Sequence, residues 1–253
     1  MSRRLENKVA IITGAGAGIG KGIATCFAKH GAKLVLTDIK QESLDAVVSE
    51  MHELGAEAVG LIADASSNEG IAATFAKARD SFGRMDILVN NAGVPDYCKT
   101  LVELSDEDWQ RNIGINMTGP FRACRAAVPI MIEQGGGIIV NIASISALRG
   151  GRSGLAYTVA KHGVIGLTQA VAVEYGDQGI RCNCISPGSV ITSLSSMDGM
   201  SEEGLKIREK GIVTRPPRAM PADVAPAVLF LASDDGHYVN GTNLVVDAGW
   251  TAW

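Results

Sequence analysis

Residues 9–20 read V-A-I-I-T-G-A-G-A-G-I-G, and this stretch decides the predicted fold. Val9–Thr13 is an apolar run of strand length, and residues 21–30, after the glycines, have a helix-like pattern. Glycine leaves room for a backbone to approach a ligand, and the N-terminus of the following helix offers free N–H groups and a positive dipole end to a pyrophosphate. A flexible turn is the alternative, but the order of strand, glycine-rich turn and helix favours a dinucleotide-binding unit.

The same alternation of strands and helices continues to the end of the chain. Further strands are expected at residues 33–37, 57–62, 85–89, 137–142, 179–186 and 244–247, and no linker-like break or repeat interrupts them. We therefore predict a single domain over residues 1–253, an α/β Rossmann-type doubly wound parallel sheet of about seven strands with helices on both faces. A long helix at 106–132 is expected to be distorted around Asn116. Residues 189–217 are polar and poorly periodic and are interpreted as a mobile substrate lid.

The composition argues against several classes of partner. The 253 residues carry a net charge of −4 without a basic cluster, so nothing favours nucleic acid or a membrane surface. No apolar stretch is long enough to span a bilayer and no signal peptide is visible, so we expect a cytoplasmic protein. We expect no metal site, and we interpret the five scattered cysteines as reduced structural thiols: Cys26, Cys98, Cys124, Cys182 and Cys184.

Tyr157 and Lys161 are four residues apart in a segment with helical spacing, so they share one face of a helix. Free tyrosine ionises near pH ~10, and a fixed positive charge nearby favours the phenolate. Such a tyrosine is usable as an acid or a base near neutral pH. Ser144 follows the expected strand at 137–142, at the edge of a parallel sheet where ligands collect. Taken alone, the Tyr-Lys pair is more often a surface pair, so the other motifs must decide.

Asp38 ends the second strand, roughly 20 residues after the glycines, where an acid that binds the ribose hydroxyls of adenosine is expected. Ala17 and Ile39 are neutral where a binder of the 2′-phosphate would need a cation, although Lys40 is close. These residues predict NAD rather than NADP. Asp64, after the third strand, is expected to lie beside the adenine or to cap the next helix; both interpretations stay open, and one residue can serve both.

Taken together, these motifs resemble those of the short-chain dehydrogenase/reductase family over nearly the whole chain. The resemblance rests on the order and spacing of the turn at 13–20, Asp64, Asn90-Asn91-Ala92-Gly93, Asn116, Ser144, Tyr157-x-x-x-Lys161, and Pro187-Gly188 with Thr192. Two departures are present. Ala143 stands where the family often has a second serine, which leaves Ser146 as a near alternative to Ser144, and residues 247–249 read D-A-G instead of D-G-G.

The resemblance implies hydride exchange with NAD and proton exchange with a substrate oxygen. It implies that Ser144 hydrogen-bonds that oxygen and that Tyr157 transfers the proton. Lys161 would lower the pKa of the tyrosine and hold the nicotinamide ribose, Asn116 would hold a water that connects Lys161 to solvent, and Thr192 would bind the carboxamide. The implied cofactor-binding residues are Gly14, Gly16, Gly18, Ile19, Gly20, Asp38, Ile39, Asp64, Ala65, Asn91, Ala92, Gly93, Tyr157, Lys161, Pro187, Gly188, Val190 and Thr192.

The predicted reaction is the interconversion of a secondary alcohol and its ketone. A cyclic or otherwise apolar substrate is expected from the side chains placed around the site: Val94, Tyr97, Leu148, Leu155, Val190, Ile191, Leu194, Met197 and Met200, with the charges of Asp96, Arg149 and Arg152. One alternative is a 3-oxoacyl thioester reductase, which is expected to favour NADPH and to carry a basic docking patch. The other is a non-catalytic, cofactor-sensing regulator, which need not keep the proton donor.

The apolar C-terminal tail contains Trp250 and Trp253. Exposed aromatic patches usually mark interfaces, and the resembled family is commonly tetrameric with two-fold symmetry. The sequence therefore predicts a homotetramer with this tail near a subunit interface.

Overall fold

The computed structural model describes residues 3–192 and 199–252. Seven parallel strands form one sheet in the order β3-β2-β1-β4-β5-β6-β7. They are β1 Val9–Thr13, β2 Lys33–Asp38, β3 Ala58–Ile62, β4 Ile87–Asn90, β5 Gly137–Ile142, β6 Ile180–Pro187 and β7 Asn243–Val246. The strand order changes direction between β1 and β4, and such a switch point opens a crevice at the carboxyl ends of the strands. The predicted doubly wound parallel sheet is confirmed.

Helices connect the strands. Within the described residues they are α1 Gly18–Lys29, α2 Gln41–Glu53, α3 Asn68–Phe82, α4 Asp106–Ile113, α5 Gly119–Glu133, α6 Leu155–Tyr175, α7 Glu202–Ile212 and α8 Pro221–Ala232. Short 3-10 turns lie at Ile145–Ala147, Gly176–Gln178, Asp234–Gly236 and Trp250–Ala252. None of the described helices is both long enough and apolar enough to cross a membrane.

The sheet is covered on both faces because successive side chains of a strand point to opposite sides. Ala10 and Ile12 of β1 belong to the core formed with α1, α2 and α8, whereas Val9 and Ile11 belong to the core formed with α3, α5 and α6. All four side chains are almost fully buried. Strands that are buried on both faces read as continuous apolar runs, and this explains why they were visible in the sequence.

The helix expected at 106–132 is two helices joined by a π-helical segment, Gly114–Thr118, which contains Asn116. The expected distortion around Asn116 is therefore confirmed. A π-helical segment inserts an extra residue into the helical turn and is frequent at functional sites. The expected N-cap of the first helix is also present, since the Ser105 hydroxyl accepts a hydrogen bond from the Asp108 amide at 3.2 Å.

The lid segment, residues 189–217, which we interpret from the sequence as a substrate lid, contains a helix for which no boundaries were predicted. This helix is α7, which begins where the Ser201 hydroxyl accepts from the Gly204 amide at 3.0 Å. The helix is polar overall and approaches the loop after β4 closely, since a Cβ atom at Gly204 would clash with the Cys98 carbonyl. Residues 193–198, with the expected pocket residues Leu194 and Met197, lie outside the described residues.

The C-terminal tail packs against its own chain. Trp250 is 4% exposed, its Nε1 donates to the Gly211 carbonyl at 3.2 Å, and the Arg152 guanidinium lies 4.4 Å from its ring centre. Trp250 is thus covered by the end of α7 and the loop before α6 and adds no exposed aromatic surface, while the expected place of the tail near a subunit interface stays a prediction. Trp253 lies outside the described residues.

Candidate active site

A cleft of about 580 Å³ runs along the carboxyl ends of the central strands. Most of the predicted site residues line it: Gly14, Gly18, Ile19, Asp38, Ile39, Asp64, Ala65, Asn91, Ala92, Gly93, Ser144, Tyr157, Lys161, Pro187, Gly188, Val190 and Thr192. Gly16, Gly20 and Asn116 do not line it. The topology thus brings residues that are far apart in the sequence, from Gly14 to Thr192, to one crevice.

The Asp38 carboxylate is fixed at one end of the cleft by backbone donors. One oxygen accepts from the Gly16 amide at 2.9 Å, and the other accepts from Ile39 and Lys40 at 2.8 and 3.1 Å. Nearby, α1 begins after Ala17, whose side chain has no polar atom with which to cap the helix N-terminus. Uncapped N–H groups at a helix N-terminus bind anions. The carboxylate can accept hydrogen bonds from ribose hydroxyls, and the amides can donate to a pyrophosphate. Together they fit a dinucleotide.

Asn91 ties the end of β4 to the glycine-rich turn. Its backbone amide donates to the Thr13 hydroxyl at 3.0 Å, and its Nδ2 donates to the Thr13 and Gly14 carbonyls at 2.8 and 3.0 Å. The turn is therefore held from both sides of the switch point. On the lid side, a Cβ atom at Gly18 would lie 3.1 Å from the Thr192 methyl group, so the turn and the start of the lid segment meet.

Asn116 and Lys161 approach each other across Gly93. A Cβ atom at Gly93 would lie 2.8 Å from the Asn116 Oδ1 and 3.9 Å from the Lys161 Nζ. Asn116 is fully buried; its Oδ1 accepts from the Val94 amide at 3.1 Å and its Nδ2 donates to the Val94 carbonyl at 3.0 Å. The π-helical segment thus aims Asn116 at the loop after β4, where it holds the cleft wall in place.

Ser144, Tyr157 and Lys161 meet at the other end of the cleft. The Ser144 hydroxyl lies close enough to the Tyr157 hydroxyl to favour the phenolate, and it accepts from the Ser146 amide at 3.1 Å. The Lys161 ammonium donates to the Ile142 carbonyl at 2.7 Å and lies 5.5 Å from the centre of the Tyr157 ring. Ser146 also lines the cleft, but Ser144 is the serine that contacts the phenol.

The pKa of Tyr157 is raised to about 12, chiefly by burial and then by the Asp96 charge, while the Ser144 hydrogen bond acts in the lowering direction. Burial also lowers the pKa of Lys161 to about 8. The net effect of these surroundings on the protein alone is a raised Tyr157 pKa, and the expected lowering contribution of Lys161 stays a prediction. Removing a phenolate from water is costly, so burial and the Asp96 charge outweigh the opposing effect of Ser144.

The two open readings of Asp64 separate in the structure. The N-cap of α3 is Ser67, whose hydroxyl accepts from the Gly70 amide at 2.9 Å. Asp64 instead accepts from the Ser66 amide and hydroxyl at 2.8 and 2.7 Å and lines the cleft. The prediction that Asp64 caps the helix is therefore wrong. Because Asp64 lies in the cleft wall, the prediction that it lies beside the adenine stays open.

Only some of the side chains that were expected around the substrate line the cleft. Val94, Tyr97, Met200, Asp96 and Arg152 line it as expected. Leu148, Leu155, Ile191 and Arg149 do not; Arg149 donates to the Thr251 carbonyl at 3.3 Å instead. Arg111 and Arg208 also line the cleft, and they were not predicted from the sequence. The sequence indicates them only in that both lie on polar helices. Side-chain directions in loops and short helices are not readable from periodicity.

The order of motifs, the sheet and the cleft define a class of protein. A family model described as "Enoyl-(Acyl carrier protein) reductase" matches residues 14–251. The chain belongs to the short-chain dehydrogenase/reductase family and is an alcohol oxidoreductase of the kind that uses a nicotinamide cofactor. In the described residues, no cluster of three or more His, Cys, Asp or Glu side chains has metal-binding geometry.

Characterised relatives match over almost their full length. The chain is 38% identical to 3beta-hydroxysteroid dehydrogenase 2 of Eggerthella lenta, covering 98% of this chain and 96% of the relative. It is 40% identical to cyclohexanol dehydrogenase of an Acinetobacter species, covering 100% and 98%. Among solved structures, levodione reductase superposes with a TM-score of 0.91 at 36% identity, covering 98% of this chain and 99% of the other.

Proposed function

We propose that this protein interconverts a secondary alcohol and its ketone, with NAD accepting or supplying the hydride. The observation that carries the proposal is the contact between the Ser144 and Tyr157 hydroxyls, beside the Lys161 ammonium in one cleft. Two hydroxyls that meet at one point are suited to hold a single oxygen atom. That atom is the alcohol or carbonyl oxygen of the substrate.

NAD is proposed as the cofactor because of the charge at the adenosine end. Asp38 is fixed there by three backbone amides, so a 2′-phosphate would meet a negative charge that has little freedom to move away. Ribose hydroxyls would instead donate to it. Ala17 and Ile39 bring no cation, and Lys40 contributes a backbone amide to the carboxylate.

Proton transfer is assigned to Tyr157. When bound, the nicotinamide ring takes up or releases the hydride. In ketone reduction the Tyr157 phenol donates its proton to the oxygen, which Ser144 hydrogen-bonds. In alcohol oxidation the deprotonated phenol takes the hydroxyl proton. Because burial raises the pKa of Tyr157 to about 12, oxidation should accelerate as the pH rises.

Lys161 and Asn116 are proposed to support this transfer. Lys161 is assigned to the nicotinamide ribose and to the charge beside the phenol. Asn116 lies next to it across Gly93, which suits the expected water that links Lys161 to solvent. Asn116 has a second task in this account, since it holds the Val94 backbone in the cleft wall.

The substrate is proposed to be cyclic or otherwise apolar. Val94, Tyr97, Val190 and Met200 supply apolar surface in the cleft, and the names of two relatives describe a steroid and a cyclohexanol as substrates. The lid segment is proposed to cover this end. Its helix α7 is anchored by the Ser201 hydroxyl, which donates to the Glu103 carboxylate at 2.8 Å.

A 3-oxoacyl thioester reductase is kept as a second candidate because the matching family model is described by an acyl carrier protein substrate. Arg152 and Arg208 also line the cleft, and neither forms an ion pair with a carboxylate of the described residues. Such a reductase should prefer NADPH, which Asp38 opposes. A non-catalytic sensor is less well supported, because the hydroxyl pair and the lysine are all in place.

We also propose a homotetramer in the cytoplasm. Val173 and Phe121 are 85% and 45% exposed on α6 and α5, and exposed apolar side chains are common at interfaces. All five cysteines are unpaired thiols, as is usual in reducing compartments. Sedimentation as a monomer at micromolar concentration would rule out the tetramer.

The direct test is turnover of cyclic secondary alcohols by the purified protein with NAD and with NADP. We expect cyclohexanol-type or hydroxysteroid alcohols to reduce NAD. A 3-oxoacyl thioester reduced by NADPH, with no alcohol oxidised, would replace this proposal by the second candidate. Tight NAD binding with no turnover of either class would favour the sensor.

A further inference from the structure

Asp96 is a buried carboxylate in the loop after β4. The sequence predicts only that its charge lies near the substrate. Asp96 is 6% exposed and lines the cleft. One oxygen accepts from the Cys98 and Gly154 amides, both at 3.1 Å, and the other accepts from the Tyr157 amide at 2.9 Å. Its partners therefore include the backbone of the tyrosine to which we assign proton transfer.

These contacts supply the missing N-cap of α6. The helix begins at Leu155 after Gly154, which has no side chain with which to cap the first turn. The first N–H groups of a helix need acceptors from elsewhere, and a carboxylate is favoured there by the helix dipole. Asp96, 58 residues earlier in the chain than Gly154, provides that acceptor. Tyr157 is the third residue of the helix, so its backbone is held at the cap itself.

We propose that Asp96 is a positioning residue for Tyr157, which fixes the first turn of α6 and thereby the place of the phenol beside Ser144. The inference rests on the proposed function for the role of Tyr157. Asp96 acts through the tyrosine backbone and through its negative charge, and it is not assigned any contact with the substrate.

The surrounding backbone is shaped around this carboxylate. Tyr97 and Cys98 both have positive φ angles, 56° and 55°, which non-glycine residues rarely adopt unless the surroundings impose them. The hydrogen bond from the Cys98 amide to Asp96 holds this turn. Opposite, a Cβ atom at Gly154 would lie 2.5 Å from an Asp96 oxygen, so this residue cannot carry a capping side chain without displacing the carboxylate.

The charge of Asp96 also reaches the phenol, where it raises the pKa of Tyr157 alongside burial. Lys161 also faces the ring, with its Nζ 5.5 Å from the ring centre, and Arg111, Arg152 and Arg208 line the same cleft. Removing the negative charge should therefore make the phenolate easier to form. A residue with a purely structural task would not shift this ionisation.

The test compares Asp96→Asn, which keeps the shape and removes the charge, with Asp96→Glu, which keeps the charge and moves the cap. The ionisation of Tyr157 is read by ultraviolet difference titration, with Tyr157→Phe in each background as the subtraction, and kcat and KM for NAD are measured against pH. We expect Asp96→Asn to move the Tyr157 titration and the rise of alcohol oxidation to lower pH by about one unit. We expect both variants to lose roughly tenfold or more in kcat with KM for NAD within about twofold, since a small misplacement of a catalytic group is costly.

Asp223→Asn is the matched control, because Asp223 accepts from the Met220 amide at 2.7 Å at the start of α8, away from the cleft. It should leave the titration and kcat unchanged. An Asp96→Asn protein with a wild-type titration and wild-type kcat would overturn the proposal. If Asp96→Asn does not fold, Asp96→Glu decides: a tenfold loss in kcat with a wild-type titration supports positioning, and wild-type kcat overturns it. Wild-type turnover by Tyr157→Phe would instead reject the proposed function, and the titration would still report on Asp96.

Discussion

The Nζ atom of Lys161 lies 5.5 Å from the centre of the Tyr157 ring and donates to the Ile142 carbonyl at 2.7 Å. The ammonium is thus tethered beside the phenol, and a nearby cation favours the phenolate over the phenol. We predict that Lys161→Met moves the rise of alcohol oxidation to higher pH. The wild-type advantage should be largest below about pH 8, where Lys161 keeps its proton. The measurement is kcat/KM for alcohol oxidation as a function of pH.

Lys161→Arg is the control for charge, because it keeps the cation and changes only its shape. It should recover part of the wild-type pH profile even if cofactor binding is weakened. An unchanged profile in a Lys161→Met protein that still turns over would show that the ammonium has no electrostatic effect on the phenol.

Cofactor choice depends on Asp38. A carboxylate and a 2′-phosphate about 4 Å apart repel by roughly 4 kcal/mol at an effective dielectric constant of about 20, before screening. Solvent and side-chain movement should reduce this to about 2 kcal/mol, a preference of about 30-fold for NAD. The double change Asp38→Ala with Ile39→Arg should erase or reverse the preference, measured as kcat/KM with NAD and with NADP. A wild-type protein that prefers NADP would mean that Asp38 does not meet the ribose.

The glycine-rich turn should not tolerate a side chain at Gly20. A Cβ atom there would clash with the Gly14 carbonyl and lie 2.6 Å from the Asn91 Nδ2 that holds this carbonyl. We expect Gly20→Ala to lower the free energy of unfolding by about 1–3 kcal/mol, as overpacking usually does, and to weaken NAD binding at least about tenfold. Urea unfolding and titration with NAD measure the two effects.

Gly166→Ala is the matched change. Gly166 is exposed on α6, and a Cβ atom added there would meet no heavy atom of the described chain within 4 Å beyond its own helix backbone. Alanine should raise the free energy of unfolding by up to about 1 kcal/mol there and leave NAD binding unchanged. Equal behaviour of the two variants would contradict the close packing of the turn.

The buried thiols predict a loss of stability in alkaline solution. Burial raises the pKa of Cys124 from 9.0 to about 12 and that of Cys184 to about 11. The pKa of each thiol is higher in the folded protein than in the unfolded chain. Its contribution to the free energy of unfolding is therefore complete below about pH 9 and is lost as the pH rises through the pKa of the folded protein. For Cys124 alone this is about 4 kcal/mol at most. The free energy of unfolding, measured in urea with a reductant, should fall between pH 9 and 12.

Cys124→Ala should make that fall shallower. Cys26→Ala is the control, since Cys26 is partly exposed and its removal should change the slope less. The same alkaline slope in the wild type and in Cys124→Ala would mean that this thiol ionises freely in the folded protein.

Much of the fold was predictable because it depends on local patterns. Strands such as Val9–Thr13 are buried on both faces and form continuous apolar runs in the sequence. The capping pattern that begins at Ser105 predicts the start of α4. The site followed from the topology, since the ends of parallel strands must share one edge. Thus Asp38, Ser144 and Tyr157 could be assigned to one crevice before their distances were known.

What was missed depends on contacts between distant residues. The side-chain amide of Asn90 donates to the Asn141 Oδ1 at 2.8 Å, and the side-chain amide of Asn141 donates to the Thr168 hydroxyl at 2.9 Å. This series of buried hydrogen bonds exists only in this strand register. Asp96 caps a helix that begins 59 residues later in the sequence, and no local pattern connects the two. Helix α7 is polar overall, so its docking on the Cys98 loop could not be predicted from its sequence.

The central claim, that Tyr157 moves the proton, is tested most directly by Tyr157→Phe. This change keeps the ring and removes the hydroxyl that contacts Ser144. Tyr175→Phe, at the far end of α6, is the control and should be neutral. With a cyclic secondary alcohol and NAD, we predict that Tyr157→Phe lowers kcat by at least about 100-fold, with the Kd for NAD nearly unchanged. Turnover of Tyr157→Phe at the wild-type rate would contradict the account and assign the proton transfer to another group.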